Sequence, residues 1–136
     1  MATNAVFKTG QHISLPVPTG TTSGSPLRIG ALNAIAITDE GSVTVTKNLG
    51  GGLSVTESSG GVGNQAGYAS VATDGAWNVP VASTGAVAVG DLIYITSGNA
   101  LTATATGNKI WGTSLQARTA TSGNLIVRIS ANTAGQ

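Results

Sequence analysis

The side chains that could carry acid–base or metal chemistry are few: one histidine, His12, five carboxylates and no cysteine. Disulfides and thiolate metal sites are therefore excluded, and the fold must be held by packing and hydrogen bonds. His12 has no evident ligand set around it and reads as a half-exposed strand residue. Asp39, Glu40, Asp74 and Asp91 all fall in turn sequences, where such residues accept backbone hydrogen bonds or support positive φ rather than act as general acids. With many serines and a single histidine, a Ser-His-Asp assignment would fit almost any chain and identifies nothing.

Three patterns have a chemistry attached. Gly61-Val62-Gly63-Asn64-Gln65-Ala66 fits G-x-G-x-x-A, but a dinucleotide site needs a helix directly behind the glycines and an acid about 20 residues on. Here the strand-like YASVAT follows, and Asp74 sits in a turn, so the pattern reads as a surface loop. Trp77, Trp111, Tyr68 and Tyr94 could stack bases or sugars if they shared a face; without interleaved basic residues, core packing is the better account. Thr102, Thr104 and Thr106, with Ala103 and Ala105 opposite, would form a flat hydroxyl ladder if the segment were one strand, a surface suited to ice or polysaccharide. The plainer reading is a strand that uses Thr for its β-propensity. N-x-S/T does not occur, so there is no glycan acceptor.

The elements that position these residues are strands. Alternating stretches separated by turn chemistry recur along the chain, and no helical periodicity lasts long enough for a helix. QHISLPVP (11–18) ends in prolines that cannot donate to a ladder, which suits an edge. PLRIGALNAIAIT resumes from Pro26, and Asp39-Glu40-Gly41 turns the chain into SVTVTK. NLGGG and ESSGGVGNQAG flank the short strand candidate LSVT, implying a mobile excursion or backbone held close to something. Asp74-Gly75 between YASVAT and AWNVPV predicts a type I′ hairpin, with Pro80 at an edge or a strand end. LIYIT, ALTATAT, KIWGTSLQA and NLIVRIS complete eight or nine short strands, the last apolar on both faces and so expected inside the fold. This spacing predicts an all-β domain, a small single-domain barrel or sandwich of antiparallel strands.

Composition narrows the function. With 136 residues the chain supports one domain, which at this size buries about 68–70% of its unfolded surface. Only 8% of residues are charged and 40% are hydrophobic, a balance unlike disorder. The six basic residues are scattered and the net charge is +1, so no footprint for nucleic acid exists. Weak electrostatic self-avoidance makes the surface a candidate for burial against copies of itself or a partner. The N-terminal residues lack the pattern of a secretory signal, and no apolar run approaches 18 residues, so no membrane insertion is expected.

The opening ATNAVFKTGQHISLPVP, the PLRIGALNAIAIT block, the DGAWNVPV stretch and the order AVGDLIYIT, NALTATATGNKIWGTSLQA, LIVRIS together resemble the tailed-bacteriophage capsid cement, or head decoration, family over almost the whole chain. The resemblance implies a compact barrel-like domain, here residues 11–136; the Gly-rich loop at about 50–66 is longer than the family leads one to expect, and residues 1–10, with Phe7 as their one large apolar residue, read as an N-terminal arm. It implies a homotrimer that binds the major capsid protein on the outer surface of the expanded head and stabilises it. No enzyme activity, cofactor, metal, nucleic acid or membrane partner is implied, and synthesis is expected in the host cytoplasm. The expected shell contact is the arm, Thr3, Asn4, Ala5, Val6, Phe7 and Lys8, because a short segment with one aromatic can order on binding and add a strand to a neighbouring sheet. The rival readings are a tail, fibre or baseplate component and a carbohydrate-binding β-module, the latter requiring an exposed Trp77 or Trp111.

Overall fold

The computed structural model describes residues 12–41, 44–58, 64–119 and 121–130, with backbone alone for 44–47 and 55–58. Regular structure among them is entirely strand: β1 (Ile13–Pro16), β2 (Pro26–Ile29), β3 (Leu32–Ala36), β4 (Thr44–Gly50), β5 (Leu53–Ser58), β6 (Tyr68–Ala72), β7 (Ala76–Ala82), β8 (Leu92–Ile95), β9 (Leu101–Thr102), β10 (Lys109–Ser114) and β11 (Asn124–Ile129). They form three groups. An antiparallel sheet runs β1-β6-β3-β2, a closed barrel runs β10-β11-β7-β9-β8, and β4 and β5 pair only with each other. The all-β class and the small barrel expected from the sequence are what forms.

Period-two alternation fills the barrel. Along β11 the inward residues Leu125, Val127 and Ile129 are buried while Asn124, Ile126 and Arg128 are exposed, as a strand with one solvated face requires. NLIVRIS is therefore barrel wall and not a strand buried on both sides; Ile126 is the outward apolar residue that suggested otherwise. Val79 and Val81 of β7, Ile93 and Ile95 of β8, and Leu101 of β9 point into the same core. Trp111 completes it from a bulge, because β10 changes register between Ile110 and Gly112 against β8. The extra residue bends the strand and re-aims the side chain. Gly112 is required beside it: a Cβ there would collide with the Arg128 carbonyl and the Val127 side chain.

The sheet and the barrel are joined by polar groups as well as by packing. Ile35 and Ala72 from the sheet belong to the barrel's apolar core. The indole Nε1 of Trp111 donates to the Leu27 carbonyl on β2 at 3.1 Å. Asn33, fully buried on β3, donates from Nδ2 to the carbonyls of Ser130 at 2.8 Å and Ile110 at 3.0 Å. Its Oδ1 accepts from the Arg28 guanidinium at 2.9 Å. Among the described residues no buried side-chain polar atom lacks a partner, the condition under which such a network holds two layers in one arrangement. A second small core, Leu27, Ala34, Ala36 and Val71, lies on the other face of the sheet with Leu15 and Val17 packed against it. The loop before β2 is tied to β3 there through Gly24 N to Ala36 O and Ala36 N to Ser25 O.

Several local expectations change. PLRIGALNAIAIT is not one strand but the hairpin β2–β3, turned at Gly30-Ala31 with Gly30 at φ 62°. Asp74-Gly75 does not close a hairpin: β6 pairs with β1 and β3 while β7 pairs with β11 and β9. Only Gly75 has positive φ there, whereas a type I′ turn needs it at both positions. The turn instead carries the chain from sheet to barrel, because β11 and β9 already occupy both edges of β7. Pro80 sits inside a barrel strand, yet no ladder bond is lost. Val81 N donates to Gly123 O, so the ring of Pro80 faces the β9 side, where pairing begins only at Val81.

At the outer edge of the sheet, Val17 N donates to Gly67 O. That phase directs the backbone groups of Ile13 and Leu15 toward β6, and those of Ser14 and Pro16 outward. Pro16 is thus an edge proline, as its sequence position suggested, and its missing N–H lies on the open side.

The Gly-rich middle springs from a tied neck. Gly41 and Ala66 form a bridge; Gly41 N donates to Tyr68 O and Gly67 N to Gly41 O, each at 2.7 Å. Asn64 accepts from Ser14 Oγ at 2.8 Å and donates to Thr38 Oγ1 at 3.0 Å. A Cβ at Gly41 would collide with the Gln65 carbonyl, whereas Gly50, Gly51, Gly52 and Gly67 of the Gly-rich stretch have open space around them, so close backbone approach belongs to the neck and not to those glycines.

Candidate docking surfaces

The residues singled out for shell contact, Thr3 to Lys8, lie outside the described residues. His12, exposed, marks where the N-terminal segment meets the body, beside a depression of about 240 Å³ shared with Asp74 and Trp77. Among the described residues Asp74 is the one other titratable group that lines it.

The other chemistry-bearing side chains are engaged in turns and packing. Asp39 accepts from Ser23 N at 2.8 Å, Glu40 from Gly20 N at 2.6 Å, Asp74 from Gly75 N at 2.7 Å and Asp91 from Ala88 N at 2.8 Å. All four carboxylates thus cap backbone donors in loops. Among the described residues no group of three or more His, Asp or Glu could hold a metal ion. Gly61 to Gly63 of the G-x-G-x-x-A pattern fall outside the described residues, and Asn64 to Ala66 lead into strand β6 with no helix behind them.

The tryptophans pack into the barrel core and form no exposed stacking face. Trp111 is wholly buried and Trp77 half-buried, its Nε1 donating to Asp74 O at 3.0 Å. The threonine ladder does not form either: β9 ends at Thr102, whose Oγ1 accepts from Thr104 N at 3.1 Å and turns the chain. Asn108 Nδ2 then holds the Thr104 carbonyl at 2.9 Å. Side-chain capping defeats the alternation there.

What the surface does offer is apolar area in two places. The first is the barrel wall around β8, β10 and β11. Leu115 N donates to Ile126 O, Gly90 N to Ser114 O, and Leu92 lies opposite Thr113. These bonds bring Val89, Leu92, Leu115 and Ile126, all exposed, onto one stretch of wall. The second is the tip of the β4–β5 hairpin, where Leu49 and Leu53 flank Gly50-Gly51-Gly52 and are 63% and 68% exposed. Gathered exposed aliphatics on an otherwise uncharged surface mark places that bind other macromolecules. Sequence reasoning passed over both. The alternation of NLIVRIS carried the signal for Ile126, and the leucines bracketing three glycines carried the signal for the tip.

A structure built this way can adhere but holds no assembled reaction centre among its described residues. No curated protein and no solved structure matches the chain. A family model described as phage cement protein matches residues 7–129. The match runs from the N-terminal segment through the last barrel strand, so both cores, the polar network joining sheet to barrel and both apolar surfaces lie within it, and the chain belongs to the phage cement protein family.

Proposed function

We propose that this protein decorates the outer surface of the expanded phage head and reinforces it, with the major capsid protein as partner. The match to phage cement proteins over residues 7–129 carries this reading; that family is one of structural virion proteins rather than enzymes. The exposed aliphatic wall and the scarcity of charge support it, since both suit a surface that is buried on assembly.

The mechanism is thermodynamic. A subunit touching several shell proteins stabilises the expanded lattice only insofar as it binds that lattice better than the precursor or free subunits. Assembly as a homotrimer would add avidity without strong individual contacts. The N-terminal segment Thr3 to Lys8 contributes by ordering on the shell. The protein is made in the host cytoplasm and resides on the head.

The experiment is to titrate purified protein onto undecorated expanded and unexpanded heads. Saturable binding confined to expanded heads is expected. Equal binding to both, or label found on tails in intact virions, would overturn the reading.

A further inference from the structure

Asp74-Gly75 has hairpin chemistry in the sequence yet closes no hairpin, and its carboxylate is placed unlike the others. Asp39 accepts from Ser23 N, Glu40 from Gly20 N and Asp91 from Ala88 N, each reaching an amide elsewhere in its loop. Asp74 Oδ1 instead accepts from the amide of the very next residue, Gly75 N, at 2.7 Å. The carboxyl carbon Cγ, one bond from that oxygen, is thereby held beside the nitrogen, on the side to which its proton points. Both residues are exposed, and Gly75, at φ 99°, carries no side chain to shield the approach. Asp74 is also the only Asp or Asn of the chain that glycine follows.

Two further features favour attack by that nitrogen. Trp77 Nε1 donates at 3.0 Å to the Asp74 carbonyl, which belongs to the same peptide unit as Gly75 N. A donor on the oxygen draws charge from the nitrogen, so the amide yields its proton more readily and the anion left behind is stabilised. Asp74, Gly75 and Trp77 also line, with His12 and Ala72, a depression of about 240 Å³, which has room for water at about 30 Å³ per molecule. Holding the reacting groups in contact removes the entropic cost of bringing them together.

We propose that Asp74-Gly75 is a self-modification site, at which the chain closes to a succinimide and reopens as isoaspartate. The Gly75 nitrogen gives up its proton and forms a bond to Cγ of Asp74 in its neutral carboxyl form; the carboxyl hydroxyl takes that proton and leaves as water. Water then adds to one of the two ring carbonyls and breaks its bond to nitrogen. One choice restores aspartate, and the other leaves a main chain that runs through Cβ and Cγ, longer by one methylene. This is chemistry of the chain on itself and turns over no substrate. The added carbon falls where the chain crosses once from sheet to barrel, between β6 and β7, beside the Gly75 carbonyl that Ile129 N holds at 3.0 Å. The joint between the two layers thus loosens as the protein ages.

The test keeps folded protein in heavy-oxygen water at neutral pH, then maps its peptides by mass, with isoaspartyl methyltransferase as a second readout. Heavy oxygen and methyl-accepting isoaspartate are expected at Asp74 and at neither Asp39 nor Asp91. Their absence at Asp74, or equal amounts at all three, would overturn the proposal. Trp77→Phe keeps an aromatic ring but removes the donor to the Asp74 carbonyl, and should slow labelling severalfold when both proteins are held well below their denaturation midpoints. Labelling as fast as in wild type, or faster, would overturn the part assigned to the fold. In the isoaspartyl fraction, separated by ion exchange, hydrogen exchange at the Ile129 amide should quicken; an unchanged rate would overturn the loosening of the joint.

Discussion

The body and the ribbon of this protein are built on opposite terms. In the body, sheet and barrel are held together twice over, by Ile35 and Ala72 in the shared core and by Asn33 and Arg28, which both donate to the Ile110 carbonyl, and Trp111, which donates to the Leu27 carbonyl. In the ribbon, β4 and β5 form a ladder only with each other, and the largest described side chains, Leu49 and Leu53, face water. The difference teaches where stability and adhesion reside: the first is concentrated where every polar group is matched, the second where apolar groups are left unmatched.

The sharpest way to test the first half of this contrast is to hollow the body. Trp111→Ala removes the bulge residue from the barrel core and its bond to Leu27 O, and should lower stability by about 3–5 kcal/mol in guanidinium titration. Asn33→Leu keeps the volume but strips the Ser130 carbonyl of its Nδ2 donor and the Arg28 guanidinium of its Oδ1 acceptor, while the Ile110 carbonyl keeps Arg28 Nη1 at 3.2 Å. A loss of about 1–3 kcal/mol is expected, because buried polar groups that lose a partner weigh more than the bond itself. A loss below about 0.5 kcal/mol, the range of neutral surface changes, would mean that packing alone joins the layers.

At the boundary between the two regions, Gly41→Ala forces a Cβ into the Gln65 carbonyl. It should destabilise by about 1–3 kcal/mol, as overpacking does. Hydrogen exchange should quicken first at the Gly67 amide, which Gly41 O holds, before any barrel amide changes. Uniform quickening would make neck and barrel one cooperative unit. The smallest effect belongs to the tip: Leu49→Ser with Leu53→Ser should leave unfolding within about 0.5 kcal/mol of wild type. A larger loss would mean that the ribbon packs on the body and would break the comparison.

Much of this was legible in the residues. Alternation and turn chemistry mark the stretches in which all eleven strands form, against the eight or nine expected, because PLRIGALNAIAIT holds both β2 and β3 and LSVT adds β5; the carboxylates Asp39, Glu40, Asp74 and Asp91 are turn residues, as their bonds to backbone N–H groups bear out. Pairing was less legible, because it depends on which edges remain free once the barrel closes. Asp74-Gly75 has hairpin chemistry, yet β7 is claimed by β11 and β9, strands far along the chain. The run ALTATAT alternates well, yet Thr102 caps Thr104 and ends the strand. At the surface, attention went to the N-terminal residues and away from Ile126, Leu115, Leu49 and Leu53. Exposure of an aliphatic is a tertiary outcome that local pattern does not encode.

The proline at the sheet's open margin has a consequence for how two copies of the chain can meet. Along β1 the outward positions are Ser14 and Pro16, so an arriving strand would find one amide to pair with where two would be needed to start a ladder. Runaway polymerisation by strand addition is blocked at that margin. The exposed leucines stand on the ribbon and the barrel wall, away from that margin, so a surface that a partner could cover and an edge that a strand could extend are kept apart.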